Sequence, residues 1–299
     1  MQALPTFLRR AAVVAALALA ILGTRPTPAQ DAPPFQLERS AVHTVVSKAV
    51  GRTYQLYVKL PPGYGDPANA GRRYPVLYLT DGDYTFQVAS GVTRLPHNAG
   101  KLEHVILVGL SYAQGEDGMV SRRRDLTPWP NPSLPSPTGG ARAYLDFITK
   151  EAIPLVERQY RADPARRTLV GQSFGGLFGL WVAFTEPGHF ESYILTSPSF
   201  WYADEALHAL EAAHAARHKD LKARIYMATG GFETVKPGAK DPRYNKTNDM
   251  VGAQGAMARR LGSRKYPGLK VRADVIEGTV HETTFPVGFV HGMTWLYGG

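Results

Sequence analysis

The stretch TLVGQSFGGLFGLW, residues 168–181, places one serine between an apolar run and a glycine-rich segment. The residues before Ser173 are typical of a buried strand, and those after it have the apolar spacing of a helix. Gly171, Ser173 and Gly175 thus form G-x-S-x-G at a strand-to-helix junction. One interpretation is a tight turn, because glycine tolerates backbone angles that other residues avoid. The other is a nucleophile elbow, in which the turn lifts the serine hydroxyl out of the sheet.

Residues 1–29 are typical of a secretory signal peptide. Arg9 and Arg10 precede an uncharged apolar run over residues 11–22, which is too short to span a bilayer comfortably. An arginine pair also occurs in twin-arginine signals, but alanines follow it here, which favours ordinary secretion. We expect cleavage near Ala29 or Gln30 and a protein that is exported, periplasmic or secreted, with no stable membrane insertion after cleavage.

Residues 30–299 are long enough for one domain with a large core. The chain has no cysteine, which excludes disulfides, a thiol nucleophile and thiolate metal ligands. Its net charge is +9, but the basic residues are scattered and no nucleic-acid reading module is present. We therefore expect no nucleic-acid partner. The oligomeric state is left open by the sequence.

Short β-rich runs alternate with helical patterns throughout residues 30–299. This alternation predicts an α/β fold with a mostly parallel, twisted sheet and helices on both faces. An antiparallel pair is expected to open the sheet and to turn at Gly51. The near-continuous apolar runs at 73–80 and 103–112 are typical of buried parallel strands. Residues 142–160 predict a helix kinked at Pro154, and the proline-rich residues 127–140 predict a loop.

The context of Ser173 favours the nucleophile elbow, because a β-run ends directly before it and a helix begins directly after it. A serine hydroxyl is a weak nucleophile, so it needs a base. His281 follows the last predicted strand in VIEGTVHETTF and is our candidate. The alternatives are a buried structural histidine and half of a zinc motif. Position 285 is Phe, so the second histidine of H-E-x-x-H is missing.

A tetrahedral intermediate needs preorganised N–H donors. We expect one from the backbone of Phe174, directly after the serine. The second is expected from Asp83 in LTDGDY, where Gly82 lets the backbone turn toward the site. An ordinary Asp-Gly turn is the competing interpretation of this segment.

Five segments together resemble a known family, the esterase-D and enterochelin-esterase-like branch of the α/β-hydrolases, which includes periplasmic siderophore esterases. The segments are YLTDGDYTF, RRRDLTPW, GQSFGGLFGL, SPSFWY and EGTVHETTFP, in that order. The resemblance implies an α/β-hydrolase domain over residues 30–299, with a Ser–acid–His triad and no metal or cofactor. It also places Arg124 near the mouth of the site, where it would bind a substrate carboxylate or phenolate, unless it forms a structural pair with Asp125. Trp201 would wall an aromatic pocket, unless it only packs.

The acid of the triad must lie between Ser173 and His281. Our candidate is Glu233, because an apolar strand and two glycines precede it and the family often carries an acid after this strand. Asp241 and Asp249 are competitors, and some relatives use only a Ser–His pair. His208, His214 and His218 lie on one predicted helix, for which a solvated face is the favoured interpretation.

These observations predict a serine-dependent carboxylic ester hydrolase that acts through an acyl-enzyme on a small-molecule ester, of siderophore type or otherwise bulky. An acyltransferase with the same triad is the alternative. A non-catalytic binding protein on this fold is less favoured, because it would be expected to have lost Ser173 or His281.

Overall fold

The computed structural model describes residues 33–299. The chain divides into two units, residues 1–37 and 38–299. In the first unit the described residues, 33–37, form no helix or strand. The predicted signal peptide and its cleavage site lie outside the described residues. Within residues 33–299 no helix has both the length and the apolar character needed to cross a membrane.

The second unit is built on one eight-stranded sheet. The strands are β1 Ser40–Ser47, β2 Arg52–Lys59, β3 Tyr74–Leu79, β4 Ile106–Leu110, β5 Ala162–Gln172, β6 Ser192–Thr196, β7 Ala223–Gly230 and β8 Leu269–Ile276. Their order across the sheet is β1-β2-β4-β3-β5-β6-β7-β8. Strand β2 runs antiparallel to β1 and β4, and the remaining pairs are parallel. The predicted α/β class with a mostly parallel sheet is confirmed.

The helices connect these strands and flank the sheet. They are α1 Gly82–Asn98, α2 Gly118–Leu126, α3 Ala141–Phe147, α4 Ile153–Gln159, α5 Phe174–Thr185, α6 Ala206–Arg217, α7 Met250–Ser263 and α8 His281–Tyr297. A short 3₁₀ turn covers Pro67–Asn69. Gly51 has a φ of +70° in the β1–β2 connection, where the turn was expected.

Two consecutive residues of β6 show that helices cover both faces of the sheet. A Cβ built on Gly292 of α8 would meet the side chain of Ile194 at 2.7 Å, and one built on Gly179 of α5 would meet that of Leu195 at 2.4 Å. Neighbouring residues of a strand point to opposite faces. Helices α8 and α5 therefore pack on opposite sides, and glycine lets each helix approach the sheet closely.

The helix predicted over residues 142–160 is interrupted. A π-helical turn, Ile148–Ala152, separates α3 from α4, and the N–H of Ile153 bonds to the carbonyl of Ile148. Pro154 has no N–H, and its ring would clash with a carbonyl one turn earlier. The chain accommodates the proline by widening the preceding turn, so a π-helical turn divides the predicted helix into two.

The strand order places β5 inside the sheet, with β3 on one side and β6 on the other. Residues that follow β3, β5, β6, β7 and β8 emerge at the same edge, because these strands are parallel. In open α/β sheets this carboxyl edge is where ligands bind. The fold thus brings the segments around Asp83, Ser173, Glu233 and His281 to one edge.

Replacing Gly171 tests how tightly this edge is built. A Cβ on Gly171 would lie 2.3 Å from the backbone carbonyl of Gly175, so Gly171→Ala should lower the free energy of unfolding by about 3 kcal/mol. Gly91, in α1, is the matched control, since it is exposed with nothing within 4 Å of its Cβ position. Gly91→Ala should raise the free energy of unfolding by about 1 kcal/mol. Urea unfolding followed by tryptophan fluorescence measures both, and equal effects would contradict this account.

Candidate active site

Ser173 occupies the turn between β5 and α5 in a strained backbone conformation. Its φ is +61° and its ψ is −114°, an unusual combination for a residue with a side chain. Such conformations cost about 1–3 kcal/mol and persist only where surrounding contacts enforce them. Here the N–H of Ser173 donates to the carbonyl of Thr196 at 2.9 Å, and the N–H of Leu177 donates to the carbonyl of Ser173 at 3.0 Å.

The side chain of Ser173 faces a pocket of about 340 Å³. Its hydroxyl oxygen lies 3.3 Å from that of Ser199, which is buried. Other side chains that line the pocket include Tyr84, Tyr112, Arg122, His281 and Phe285. The pocket thus combines a serine hydroxyl, an imidazole and aromatic walls.

His281 begins α8 and carries a carboxylate partner. Its Nδ1 lies 2.6 Å from Oε2 of Glu233. The imidazole is partly exposed, whereas Glu233 is buried. This contact fixes one ring nitrogen of His281 and leaves Nε2 for chemistry in the pocket.

The carboxylate of Glu233 is held by several donors. Its Oε1 accepts hydrogen bonds from the hydroxyl of Ser197 at 2.6 Å, the N–H of Gly230 at 2.8 Å and the hydroxyl of Thr284 at 3.1 Å. Burial alone would raise the pKa of Glu233, but the hydrogen bonds from His281 and Ser197 outweigh it and lower the pKa. Glu233 is therefore a carboxylate at neutral pH.

The two glycines before Glu233 permit this placement. A Cβ on Gly230 would lie 2.6 Å from the carbonyl oxygen of Thr279, in the segment that leads into α8. Only glycine lets β7 end this close to that segment. The N–H of Glu233 then donates to the carbonyl of Gly230 at 2.9 Å, which turns the side chain toward His281.

Among the hydrogen bonds of residues 33–299, none joins Ser173 to His281. Gln172 links the two segments instead, since its side-chain Nε2 donates to the backbone carbonyl oxygen of His281 at 2.7 Å. The hydroxyl of Thr196 donates to the side-chain oxygen of Gln172. Hydrogen bonds that carry catalysis are often long in a free enzyme and tighten when substrate binds.

The competing acids lie elsewhere. Asp241 is engaged by the guanidinium of Arg243 at 2.6 Å on the surface. Asp249 caps the N-terminus of α7, where it accepts from the N–H of Gly252 at 2.9 Å. Of the three acids considered, Glu233 is the one that contacts His281.

Both expected oxyanion donors lie at helix starts. Phe174 is the first residue of α5, and Asp83 is the second residue of α1. N–H groups in the first turn of a helix have no acceptor within the helix, so they are available to a ligand. The side chain of Asp83 is engaged separately, since it accepts from the N–H of Tyr112 at 2.7 Å and the hydroxyl of Tyr57 at 3.2 Å. Neither residue lines the pocket, but their neighbours Tyr84 and Ser173 do.

Arg122 is a pocket residue that the sequence interpretation missed. Its Nε donates to Oδ1 of Asp81 at 2.8 Å, and its guanidinium carbon lies 5.2 Å from the ring centroid of Phe174. Burial alone would lower the pKa of Arg122, but the charge and hydrogen bonds of Asp81 raise it, so the guanidinium stays charged. The RRRDLTPW segment led the sequence interpretation to Arg124, whereas the arginine that lines the pocket is Arg122.

Arg124 does not line the pocket. Its guanidinium bonds to Asp125 at 2.8 Å, to Glu116 at 2.5 Å and to the hydroxyl of Tyr54 at 3.4 Å. These contacts match the structural pair that the sequence left open, rather than a substrate-binding role. The reason is the direction of α2, which turns Arg124 toward Tyr54 on β2.

Trp201 also does not line the pocket. It is partly exposed, and its ring centroid lies 5.9 Å from that of Phe174. It therefore packs against the first residue of α5 with part of its ring exposed.

Within the described part of the chain, no three His, Asp or Glu side chains cluster in a way that would hold a metal ion. The prediction that the histidines of α6 lie on a solvated face is wrong for His214. This histidine is buried, and its Nδ1 lies 2.9 Å from the carbonyl oxygen of Phe184. Helix α6 packs on α5, and His214 lies on the covered side.

Comparison with known proteins connects this site to a family. Residues 47–285 match the family model described as "Putative esterase". The ferri-bacillibactin esterase BesA of Bacillus subtilis is 34% identical over 178 residues, which cover 55% of this chain and 60% of BesA. The siderophore triacetylfusarinine C esterase of Aspergillus fumigatus is 33% identical over 190 residues, covering 60% of this chain and 61% of that protein. The match thus spans less than two thirds of each of these relatives.

A solved structure extends the likeness over most of the fold. The IroE-like serine hydrolase from Shewanella oneidensis superposes with a TM-score of 0.73 at 25% identity, covering 86% of this chain and 80% of that one. The family model covers most of the described residues, including the segments around Ser173, Glu233 and His281. The resemblance stated from the sequence is confirmed, and the chain belongs to this esterase family.

Proposed function

We propose that this protein is a serine-dependent carboxylic ester hydrolase that acts through an acyl-enzyme. The observation that carries the proposal is the pocket shared by Ser173 and His281, with Nδ1 of His281 2.6 Å from Glu233. A nucleophile at a strained turn, a histidine and a buried carboxylate are the components that serine hydrolases combine.

In the proposed reaction, Nε2 of His281 takes the proton of the Ser173 hydroxyl as its oxygen attacks the ester carbonyl. The tetrahedral intermediate collapses when the C–O bond to the alcohol breaks and His281 returns the proton to the alcohol oxygen. Water then attacks the acyl-enzyme by the same sequence, which releases the acid and restores Ser173. The N–H groups of Phe174 and Asp83 stabilise the negative oxygen in both halves.

Glu233 acts on this reaction through His281. Its carboxylate favours the tautomer that carries a proton on Nδ1 and stabilises the imidazolium that forms during attack. The donors on its other oxygen hold the carboxylate in place while the charge on His281 changes. Glu233 is thus an orienting group in the proposed triad.

We propose that the substrates are siderophore-type or other bulky esters. BesA and the Aspergillus fumigatus relative are siderophore esterases by name. The pocket volume of about 340 Å³ suits a sizeable ligand, and the rings of Tyr84, Tyr112 and Phe285 offer aromatic contacts. From the N-terminal sequence we also propose export to the periplasm or the medium. Fractionation and the mass of the mature protein would test the export.

The purified protein should be assayed on siderophore, aryl, alkyl and thioester panels, with and without an acceptor alcohol. Release of the free acid as the main product supports hydrolysis. If the acyl group is transferred mainly to the acceptor alcohol, the protein is an acyltransferase instead. Absence of turnover on all panels, together with failure of a serine-directed phosphonate to label Ser173, would overturn the proposal.

Ser173→Ala should abolish ester turnover, because it removes the attacking oxygen. We expect a loss of at least about 10⁴-fold in kcat and no labelling by the phosphonate. Ser199→Ala is the matched control, since it removes the neighbouring hydroxyl and leaves the nucleophile. It should still be labelled at Ser173. Retention of full activity by Ser173→Ala would contradict the assignment.

Glu233→Gln should lower kcat by as much as about 10⁴-fold, because the amide no longer fixes the tautomer of His281. Asp241→Asn and Asp249→Asn serve as controls and should change kcat less than about twofold. All three are compared at equal folded fraction, judged by circular dichroism. A large loss in either control, with Glu233→Gln nearly unaffected, would move the acid role to another residue.

Prolonged treatment with a strong chelator should leave the rate of ester hydrolysis unchanged. The proposed chemistry uses a hydroxyl, an imidazole and a carboxylate, none of which needs a Lewis acid. The rate is measured before and after dialysis and again after Zn²⁺ is added. Loss of activity that Zn²⁺ restores would show that a metal takes part.

A further inference from the structure

A second buried carboxylate lies beside the elbow. Asp81 follows β3, its side chain is fully buried, and its φ of +54° places it in the left-handed region. Its carbonyl accepts from the N–H groups of Tyr84 and Thr85, both at 3.1 Å, so it starts α1. The conformation of Asp81 therefore sets the direction of the first turn of α1, which contains Asp83.

Arg122 is the cation that meets this carboxylate. Its Nε lies 2.8 Å from Oδ1 of Asp81, and its Nη2 lies 3.3 Å from Oδ2. The Arg122 side chain is 11% exposed. A bidentate pair of this kind fixes the orientation of both side chains, which a single contact does not.

The same guanidinium reaches the other side of the site. It lies over the ring of Phe174, at 5.2 Å from the centroid, and Phe174 is the first residue of α5. The two helix starts also touch directly. A Cβ built on Gly175 would lie 2.4 Å from the hydroxyl of Thr80 and 3.4 Å from Oδ2 of Asp81. Arg122 thus bridges the two segments that carry the expected N–H donors.

We infer that Arg122 is a positioning residue that aligns the backbone donors of Asp83 and Phe174 and neutralises the carboxylate of Asp81 beside them. The inference rests on the proposed ester hydrolysis. A carboxylate buried next to a developing oxyanion opposes its formation, because both are negative in a medium of low dielectric. The charge of Arg122 cancels this repulsion, while its two hydrogen bonds and its ring contact fix the geometry.

A direct substrate-binding role is disfavoured by the geometry. The two nitrogens that pair with Asp81 would have to leave it before they could bind a ligand in the same bidentate way, and the buried carboxylate of Asp81 would then lose its countercharge. The pair therefore holds together through the reaction. Arg122 lines the pocket, and the substrate lies beside it.

The test separates geometry from charge with three variants. Arg122→Lys keeps the positive charge and loses the planar fork. Arg122→Gln loses both and leaves Asp81 uncompensated. Arg122→Gln combined with Asp81→Asn removes both charges. Arg123→Gln is the matched control, because Arg123 is the next residue of α2 and does not line the pocket. Its guanidinium makes one long hydrogen bond, of 3.5 Å, to the hydroxyl of Ser136.

Each variant is measured for kcat and KM on one neutral and one anionic ester, for inhibition by a boronic acid, and for the rate of phosphonate labelling at Ser173. Arg122→Gln should lower kcat about 10–100-fold on both esters, with KM changed less than about twofold. Boronate affinity and labelling rate should fall in parallel, because both report stabilisation of a tetrahedral adduct. Arg122→Lys should lie between wild type and Arg122→Gln. The double variant should recover at least threefold over Arg122→Gln, and Arg123→Gln should match wild type.

The inference is overturned if Arg122→Gln has the same kcat, boronate affinity and labelling rate as the wild type. A rise in KM confined to the anionic ester would also overturn it, because it would make Arg122 a substrate-binding residue. If the double variant has the same kcat as Arg122→Gln, the proposed neutralisation of Asp81 by Arg122 is wrong. If Arg122→Gln does not fold, Arg122→Lys and the double variant are compared with wild type by the same measures. Failure of wild-type Ser173 to label and of every ester to react would refute the proposed function, a result distinct from any of these.

Discussion

The contact between Gly171 and Gly175 is the constraint on which the site depends. A Cβ at position 171 would lie 2.3 Å from the backbone of Gly175, so the chain can turn this sharply from β5 into α5 only with glycine there. The turn forces Ser173 into its strained conformation and points its side chain out of the sheet. Because β5 lies inside the sheet, the strands on either side can bring their own loops to the same hydroxyl.

The strand β6 and its following loop supply much of that support. The carbonyl of Thr196 holds the N–H of Ser173, the hydroxyl of Ser197 holds Glu233, and the hydroxyl of Ser199 lies against that of Ser173. Ser197 also has a positive φ of +44°. The turns at Ser173 and Ser197 are thus both strained at the same edge of the sheet. The N–H of Ser173 is held by Thr196, and that of Ser197 by Ala228 of β7. Strain of this kind is maintained by the packed sheet beneath it.

The sequence alone predicted the parts of the site that depend on local pattern. The strand–turn–helix context marked Ser173, and the position of His281 after the last strand marked the histidine. Glu233 was chosen because an apolar strand and two glycines precede it and because the family resemblance implied an acid after this strand. The three candidate acids differ in their contacts between distant segments, since Glu233 contacts His281 although it lies 48 residues away along the chain. The sequence pattern around a residue does not show which distant residues it contacts in the fold.

Arg122 was missed for a related reason. Helix α2, with the sequence GMVSRRRDL, lacks the apolar periodicity that indicates a helix and its buried side. Without the helix, three successive arginines cannot be assigned to directions that differ by about 100° per residue. The family resemblance then drew attention to Arg124, beside Asp125, whereas the arginine two residues earlier faces the pocket. The fold class was easier to predict, because the alternation of strands and helices is repeated along the whole chain.

Two buried carboxylates flank the proposed nucleophile, and their partners explain why they would act differently. Asp81 is paired with an arginine, whose charge does not change at any pH at which the protein is folded. The pair takes no part in the proton transfers of the proposed reaction, so it acts by fixing the geometry of the site and by cancelling the charge of Asp81. Glu233 is paired with His281. In the proposed reaction, the positive charge of His281 appears when it accepts a proton from Ser173 and disappears when it gives the proton up. The attraction between Glu233 and His281 is therefore strongest at the tetrahedral intermediate, when the imidazolium is present. An interaction that strengthens at that point lowers the barrier directly, whereas the Asp81–Arg122 pair acts by holding the N–H donors in place and by cancelling the charge of Asp81. The choice of arginine for one carboxylate and histidine for the other thus separates a fixed scaffold from a group that responds to the reaction.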